Sequence, residues 1–106
     1  MSTDTVCLTL IAARSLRREL FDFLSGQRDL VAGFTGSEAA GHGTGVRLET
    51  AAEQVKGHAD QVLVRIIMER DAAAQLLVRV KSAFAGAGLV YWITPVAEFG
   101  ELDRNG

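Results

Sequence analysis

"QVLVRIIMERDAAAQLLVRVKSAFAG" runs from Gln61 to Gly86, and the hydrophobic period changes within it. In its first half Val62, Val64, Ile66 and Met68 alternate with Leu63, Arg65, Ile67 and Glu69. That period of two predicts a strand over Gln61–Arg70. From Asp71, a good N-cap residue, the apolar positions become Ala73, Leu76, Leu77, Val80 and Phe84. Steps of three and four predict a helix with one buried stripe. The glycines of "AGAG" (85–88) stop it, and "LVYWITPV" (Leu89–Val96), ending near the only proline, Pro95, reads as a further strand. The stretch and its continuation are therefore β-α-β.

The N-terminal half repeats this rhythm. "TVCLTLIAA" (Thr5–Ala13) is short, apolar and β-branched, with Val6, Leu8 and Leu10 on one face and Cys7, Thr9 and Ile11 on the other. Both faces lack charge, which predicts burial on both sides. "SLRRELFDFLSG" offers Ser15 as a cap, then Leu16, Leu20, Phe23 and Leu24 with Phe21 beside them, and Gly26 as a stop. A helix of about ten residues is expected. "DLVAGFTG" predicts a second strand over Leu30–Thr35. The glycine-rich "GFTGSEAAGHGTG" (Gly33–Gly45) then opens a long loop, expected over about 36–57. Within it "GVRLET" alternates as a resumed strand or a projecting ribbon would, and "AAEQVKGHAD" is polar with a Gly-His turn. The tail, about 98–106, is expected to be flexible.

The order βαββαβ predicts an α+β, ferredoxin-like sandwich: a four-stranded antiparallel sheet with two helices on one face. At 106 residues, 48% hydrophobic and 23% charged, the chain fits a single domain, 1–106. The sheet face away from the helices would carry Cys7, Thr9, Ile11, Leu63 and Ile67, with either Tyr91 and Ile93 or Trp92 and Thr94. An apolar open face marks an interaction surface, and a second copy of the chain is the simplest partner.

Composition narrows the function. The net charge is −2 and no basic stripe exists, so no nucleic-acid partner is expected. No apolar run reaches membrane-spanning length, so no membrane insertion is expected. "MSTDTVCLTL" carries acid where a signal peptide carries base, and a cytoplasmic location is expected. Cys7, the only cysteine, reads as a small buried hydrophobe. Arg14, Arg17 and Arg18 suggest an acylphosphatase-type anion loop, but that loop holds no glycine and the only asparagine is Asn105. Strands one and three hold no aromatic residue, which excludes an RNA-stacking platform. No nucleophile–base relation and no carboxylate pair suited to acid–base work is visible, so no enzyme is expected.

Three stretches remain as candidate sites. Successive amides in "GHGTG", with Gly41, His42 and Gly43, can form an anion nest, although no GxxxxGK[ST] motif is present. His42 and His58 are potential ligands for a divalent metal, with Glu38, Glu49, Glu53 and Asp60 close in sequence. "EQVKGH" offers Gln54 and Lys56 for a small anion or a base edge, or else forms a solvated turn at Gly57 and His58.

Taken together, "GF" (33–34), "GHG" (41–43), "EQVKG" (53–57), "YWITPV" (91–96) and "FG" (99–100) resemble a family of small uncharacterised proteins. It lies in the PII-like superfamily, and its members are often encoded beside heavy-metal efflux systems. The resemblance covers nearly the whole chain. It implies a homotrimer with sheets facing inward and a T-loop between strands two and three. That loop would report a ligand held in the cleft between subunits and touch a partner such as a membrane transporter. Gly86 and Gly88 would correspond to the B-loop that approaches nucleotide phosphates. PII proteins carry a lysine soon after those glycines, whereas this chain has Leu89, Val90 and Tyr91. The resemblance thus implies a PII-like regulator whose ligand is a nucleotide, an anion or a metal. Gly41, His42, Gly43, Gln54, Lys56, Gly57, His58, Gly86 and Gly88 would be its contacts, and the cofactor candidates are a divalent metal ion and an adenine nucleotide. A CutA-like metal-tolerance protein with His42 and His58 as ligands, and an ACT-type amino-acid sensor, are the alternatives.

Overall fold

The computed structural model describes residues 4–102. β1 (Thr5–Ala13) lies inside a four-stranded sheet of order β2-β3-β1-β4, with β2 at Thr35–Gly41, β3 at Ala59–Glu69 and β4 at Val90–Pro95. Every pairing is antiparallel. Leu8 stands between Ile66 and Ile93, and Thr9 between Arg65 and Trp92. Because side chains alternate across a strand, this register gives each face a fixed set of residues.

Val6, Leu8, Leu10 and Ala12 of β1, with Val62, Val64, Ile66 and Met68 of β3, face α1 (Arg17–Ser25) and α3 (Arg70–Ala83). The helices return Leu20, Leu24, Ala73, Leu76, Leu77 and Val80. Leu8, Leu20, Leu24, Ile66 and Leu76 are fully buried, and each contributes about 1.5–3 kcal/mol of hydrophobic stabilisation. The ferredoxin-like α+β architecture is as the sequence predicts.

Local differences from the expectation are physical in origin. The second strand is not Leu30–Thr35 but Thr35–Gly41. Leu30 and Val31 instead follow a turn in which their amides donate to the Gln27 carbonyl at 3.1 and 2.8 Å. Their side chains, with Phe34, pack on the core from that loop. Ser15 does not cap α1. It lies in a 3-10 turn, Arg14–Leu16, and Leu16 holds the cap position without a side-chain bond. Asp71 is not the N-cap of α3. The helix starts at Arg70, and Asp71 sits in its first turn, where a carboxylate complements the helix dipole.

The stretch expected as one loop over 36–57 is divided. Its first part belongs to β2, and Ala51–Lys56 forms a short helix, α2. Thr50 and Glu53 make a capping box at its start, and Gly57 closes it at φ 80°. The strand-like "GVRLET" stretch contains no strand.

The open sheet face carries Cys7, Ile11, Leu63, Ile67, Val90 and Trp92 around a buried Thr9. Of the two β4 alternatives, Trp92 and Thr94 face outward, because they pair with Thr9 and Cys7. Ile67 is 37% exposed and Trp92 42%. Arg65, with Thr94 and Ser37, interrupts this largely apolar surface.

Candidate functional site

One end of the sheet gathers most of the candidate residues. There β1 leaves into the 3-10 turn, β2 ends, and β3 and β4 begin, so that Ala13 lies opposite Gln61, Gly41 opposite Ala59 and Ile11 opposite Val90. A cavity of ≈ 230 Å³ opens here. The loop after β2 lines it with Gly45, Val46 and Arg47, and the turn before β4 lines it with Gly86, Ala87 and Gly88. Gly86 and Gly88 have φ of 77° and 75°, a left-handed conformation that a residue with a Cβ adopts only at a cost. Glu49, Glu53 and Asp60 complete the wall. A neighbouring cavity of ≈ 250 Å³ shares those three carboxylates and adds Arg14 and Thr50.

The carboxylates differ in what they hold. Glu53 is buried. Its carboxylate accepts from the amides of Glu49 at 2.7 Å and Thr50 at 2.9 Å, and from the amide of Asp60. These amides, led by that of Asp60, hold its pKa below the usual carboxylate range against the opposing effect of burial. Glu53 therefore ties α2, the preceding loop and the first residues of β3 together. Asp60 accepts from Lys56 Nζ at 2.8 and 3.1 Å and lies 3.6 Å from the Arg14 guanidinium. The Lys56 hydrogen bond is the main reason its pKa lies low, with the charges of Lys56, Arg14 and His58 adding to it. Arg14 also reaches Glu38 at 3.0 Å, linking β2 to this network.

The structure brings His42 and His58 together across the base of the loop. Their ring centroids are 5.3 Å apart with planes at 45°. His58 Nε2 is 3.8 Å from Asp60 Oδ1. Among the described residues, no group of three histidine, cysteine or acidic side chains is placed to hold a metal ion. Gly41 is buried, and a Cβ there would run into the Gln61 side chain, while Gly43 has φ 117°. Gln54 is exposed on α2 and Lys56 is committed to Asp60, so neither lines the two cavities. Of the nine expected contacts, only Gly86 and Gly88 form the cavity wall.

Arg47 and Asp60 belong to the site although neither stood among the expected contacts. The Thr-x-x-Glu spacing of Thr50 and Glu53 was the legible signal for α2, since it is a capping box in sequence. Two of the site's three carboxylates, Glu53 and Asp60, are already engaged by donors.

Comparison with known proteins agrees with the fold. A DUF3240 family protein from Shewanella baltica superposes with a TM-score of 0.74 at 22% identity, over 96% of this chain and 99% of that one. CPII, a nitrogen regulatory PII-like protein from Thiomonas intermedia solved with ADP, AMP and bicarbonate, gives 0.64 at 16% identity, over 88% and 90% of the two chains. The B. subtilis GlnK–ATP complex gives 0.58 at 15% identity, over 91% and 84%. No curated protein matches the chain. The family model described as "Protein of unknown function (DUF3240)" matches residues 2–103, and the chain, PII-like in fold, belongs to that family.

Proposed function

We propose that the chain is the subunit of a PII-like homotrimeric regulator without enzymatic activity. It binds a small ligand beside Gly86 and Gly88 and passes that state to a partner through the segment between β2 and β3. The observation that carries this reading is the ≈ 230 Å³ cavity, whose walls include the left-handed glycine turn before β4 and residues 45–47 after β2, with Glu49, Glu53 and Asp60 beside them. A ligand touching both walls favours one arrangement of the loop, which is the only way it can shift the loop's equilibrium. The apolar open sheet face supports assembly. A cytoplasmic regulator of a membrane transporter fits these features, and no described helix is long and apolar enough to cross a membrane itself.

An adenine nucleotide and a small anion are the first ligands to test, since CPII was solved with ADP, AMP and bicarbonate. Native mass spectrometry without chelator, followed by titration with each of these, tests the reading. A trimer that binds one of them, with binding lost in Gly86→Val, is the expected result. A monomer, or a trimer indifferent to all of them, overturns it.

A metal-tolerance reading of CutA type has one observation in its favour, the His42–His58 ring pair at 5.3 Å. Metal retained by the wild type and lost from His42→Ala would establish it.

A further inference from the structure

The Gly86–Gly88 turn has a second side. On its helix-facing side lies a separate cavity of ≈ 260 Å³, between the C-terminal half of α3 and β4. We propose that this cavity binds a small monoanion with a single-ring or short-chain apolar body. The proposal uses residues of one subunit only, so it stands whatever becomes of the assembly proposed above.

Leu77, Val80, Phe84 and Leu89 make the walls. No acidic residue lines the cavity, and one cation, Lys81, does. The Lys81 ammonium, on an exposed residue, lies 5.2 Å from the centre of the Tyr91 ring, which also lines the cavity. Among the described residues no carboxylate pairs with it, unlike Lys56, Arg14, Arg70 and Arg79. An apolar chamber with one unneutralised cation is complementary to an apolar anion and unfavourable to a cation. Its size sets the rest. Ligand pockets for drug-sized molecules run from about 300 to 1,000 Å³, so ≈ 260 Å³ within one subunit suits one ring or a short chain. The turn contributes no side chain that fills the space, since a Cβ built at Gly86 or Gly88 meets no atom within 4 Å.

Both cavities use Gly86 and Gly88 as wall. Occupation of this one would therefore be felt in the wall of the other.

The test is a ¹H–¹⁵N NMR titration of the full chain with 3-phenylpropionate, and with neutral 3-phenylpropionamide beside it. Saturable shifts centred on Val80, Phe84, Gly86, Gly88 and Tyr91 are expected for the carboxylate. Lys81→Met should weaken that binding about threefold, the size of a partly exposed ion pair, and leave the amide probe unchanged. Ala85→Trp, at an exposed position on the cavity rim, should abolish it without unfolding the chain. Absence of saturation in the millimolar range overturns the proposal. So does equal affinity for acid and amide, or binding untouched by Ala85→Trp.

Discussion

Glu53 is the side chain on which the geometry of the loop depends. A glutamine there keeps the shape but opposes one amide donor with another and removes the charge that strengthens the remaining bonds. Glu53→Gln is therefore expected to speed hydrogen exchange at the Thr50 and Asp60 amides by about tenfold, as losing a charge-assisted bond does. The acid dependence has a definite sign. The folded pKa of Glu53 is depressed, so its stabilisation is complete above the ordinary glutamate range around 4.5 and is lost as pH falls through the lower folded value. The Thr50 amide, which donates to the Glu53 carboxylate, should show that low-pH step in the wild type and lack it in Glu53→Gln. A wild-type step at the ordinary glutamate pH would show that the amides do not hold the carboxylate. Two glycines of β2 make a second test at this scale. A Cβ on Gly36 would lie 2.5 Å from Cζ of Phe21, whose ring packs against Phe34 at 5.3 Å. Gly36→Ala must displace that ring and is expected to cost about 1–3 kcal/mol in chemical denaturation. On Gly41 the obstacle is the flexible end of Gln61, which can swing aside. Gly41→Ala should cost less than Gly36→Ala, and the reverse order would contradict the packing described.

Among the elements, α2 owes its existence to its two ends. It has only six residues, too few to be stable by propensity alone. Thr50 accepts the Glu53 amide at 3.0 Å, and Gly57 supplies the left-handed residue that ends the helix. Thr50→Ala should remove about 1 kcal/mol from this helix. The loss is local: exchange should rise at the Gln54 and Gly57 amides, which donate to Thr50 and Glu53, while core amides of β1 and β3 keep their protection. A matching loss in the core would mean that α2 unfolds only with the whole chain. The same element shows what the sequence could convey. Strands β1 and β3 and helix α3 were legible because their apolar positions keep one period and face one core. β2 was not, because "TGSEAAG" has no apolar alternation and a β-branched residue only at Thr35, and it is a strand because β3 offers it an edge. The apolar run just before it was misleading: Leu30, Val31 and Phe34 are apolar because a loop must cover the core. At the site, the glycine turn before β4 and the two histidines could be picked out as residues. Asp60 was legible only as an acid near His58, and Arg47, which lines the same cavity, was not legible at all, since only the antiparallel pairing of β2 with β3 folds residues 45–60 back over the sheet end.

For the whole molecule the informative surface is the open face of the sheet. A sheet covered by helices on one side has no structural need for Ile67 and Trp92 on the other, and each is more than a third exposed in a single subunit. Aromatic and aliphatic side chains grouped in this way lose contact with water when copies associate. Ile67→Asp separates assembly from folding. The side chain already faces water in the isolated chain, so the charge adds little cost there, and the domain should keep its helical and strand content by circular dichroism. In an assembled trimer the same carboxylate would be buried without a partner, which costs several kcal/mol at each of three equivalent positions. If the chain forms the trimer proposed above, light scattering of Ile67→Asp should report one chain's mass where the wild type reports three. The binding proposed beside Gly86 and Gly88 should weaken with it if residues of a neighbouring subunit complete the cleft, whereas the α3–β4 cavity, built within one subunit, should keep its affinity for 3-phenylpropionate. A variant that remains trimeric would place the subunit contacts elsewhere than on this face.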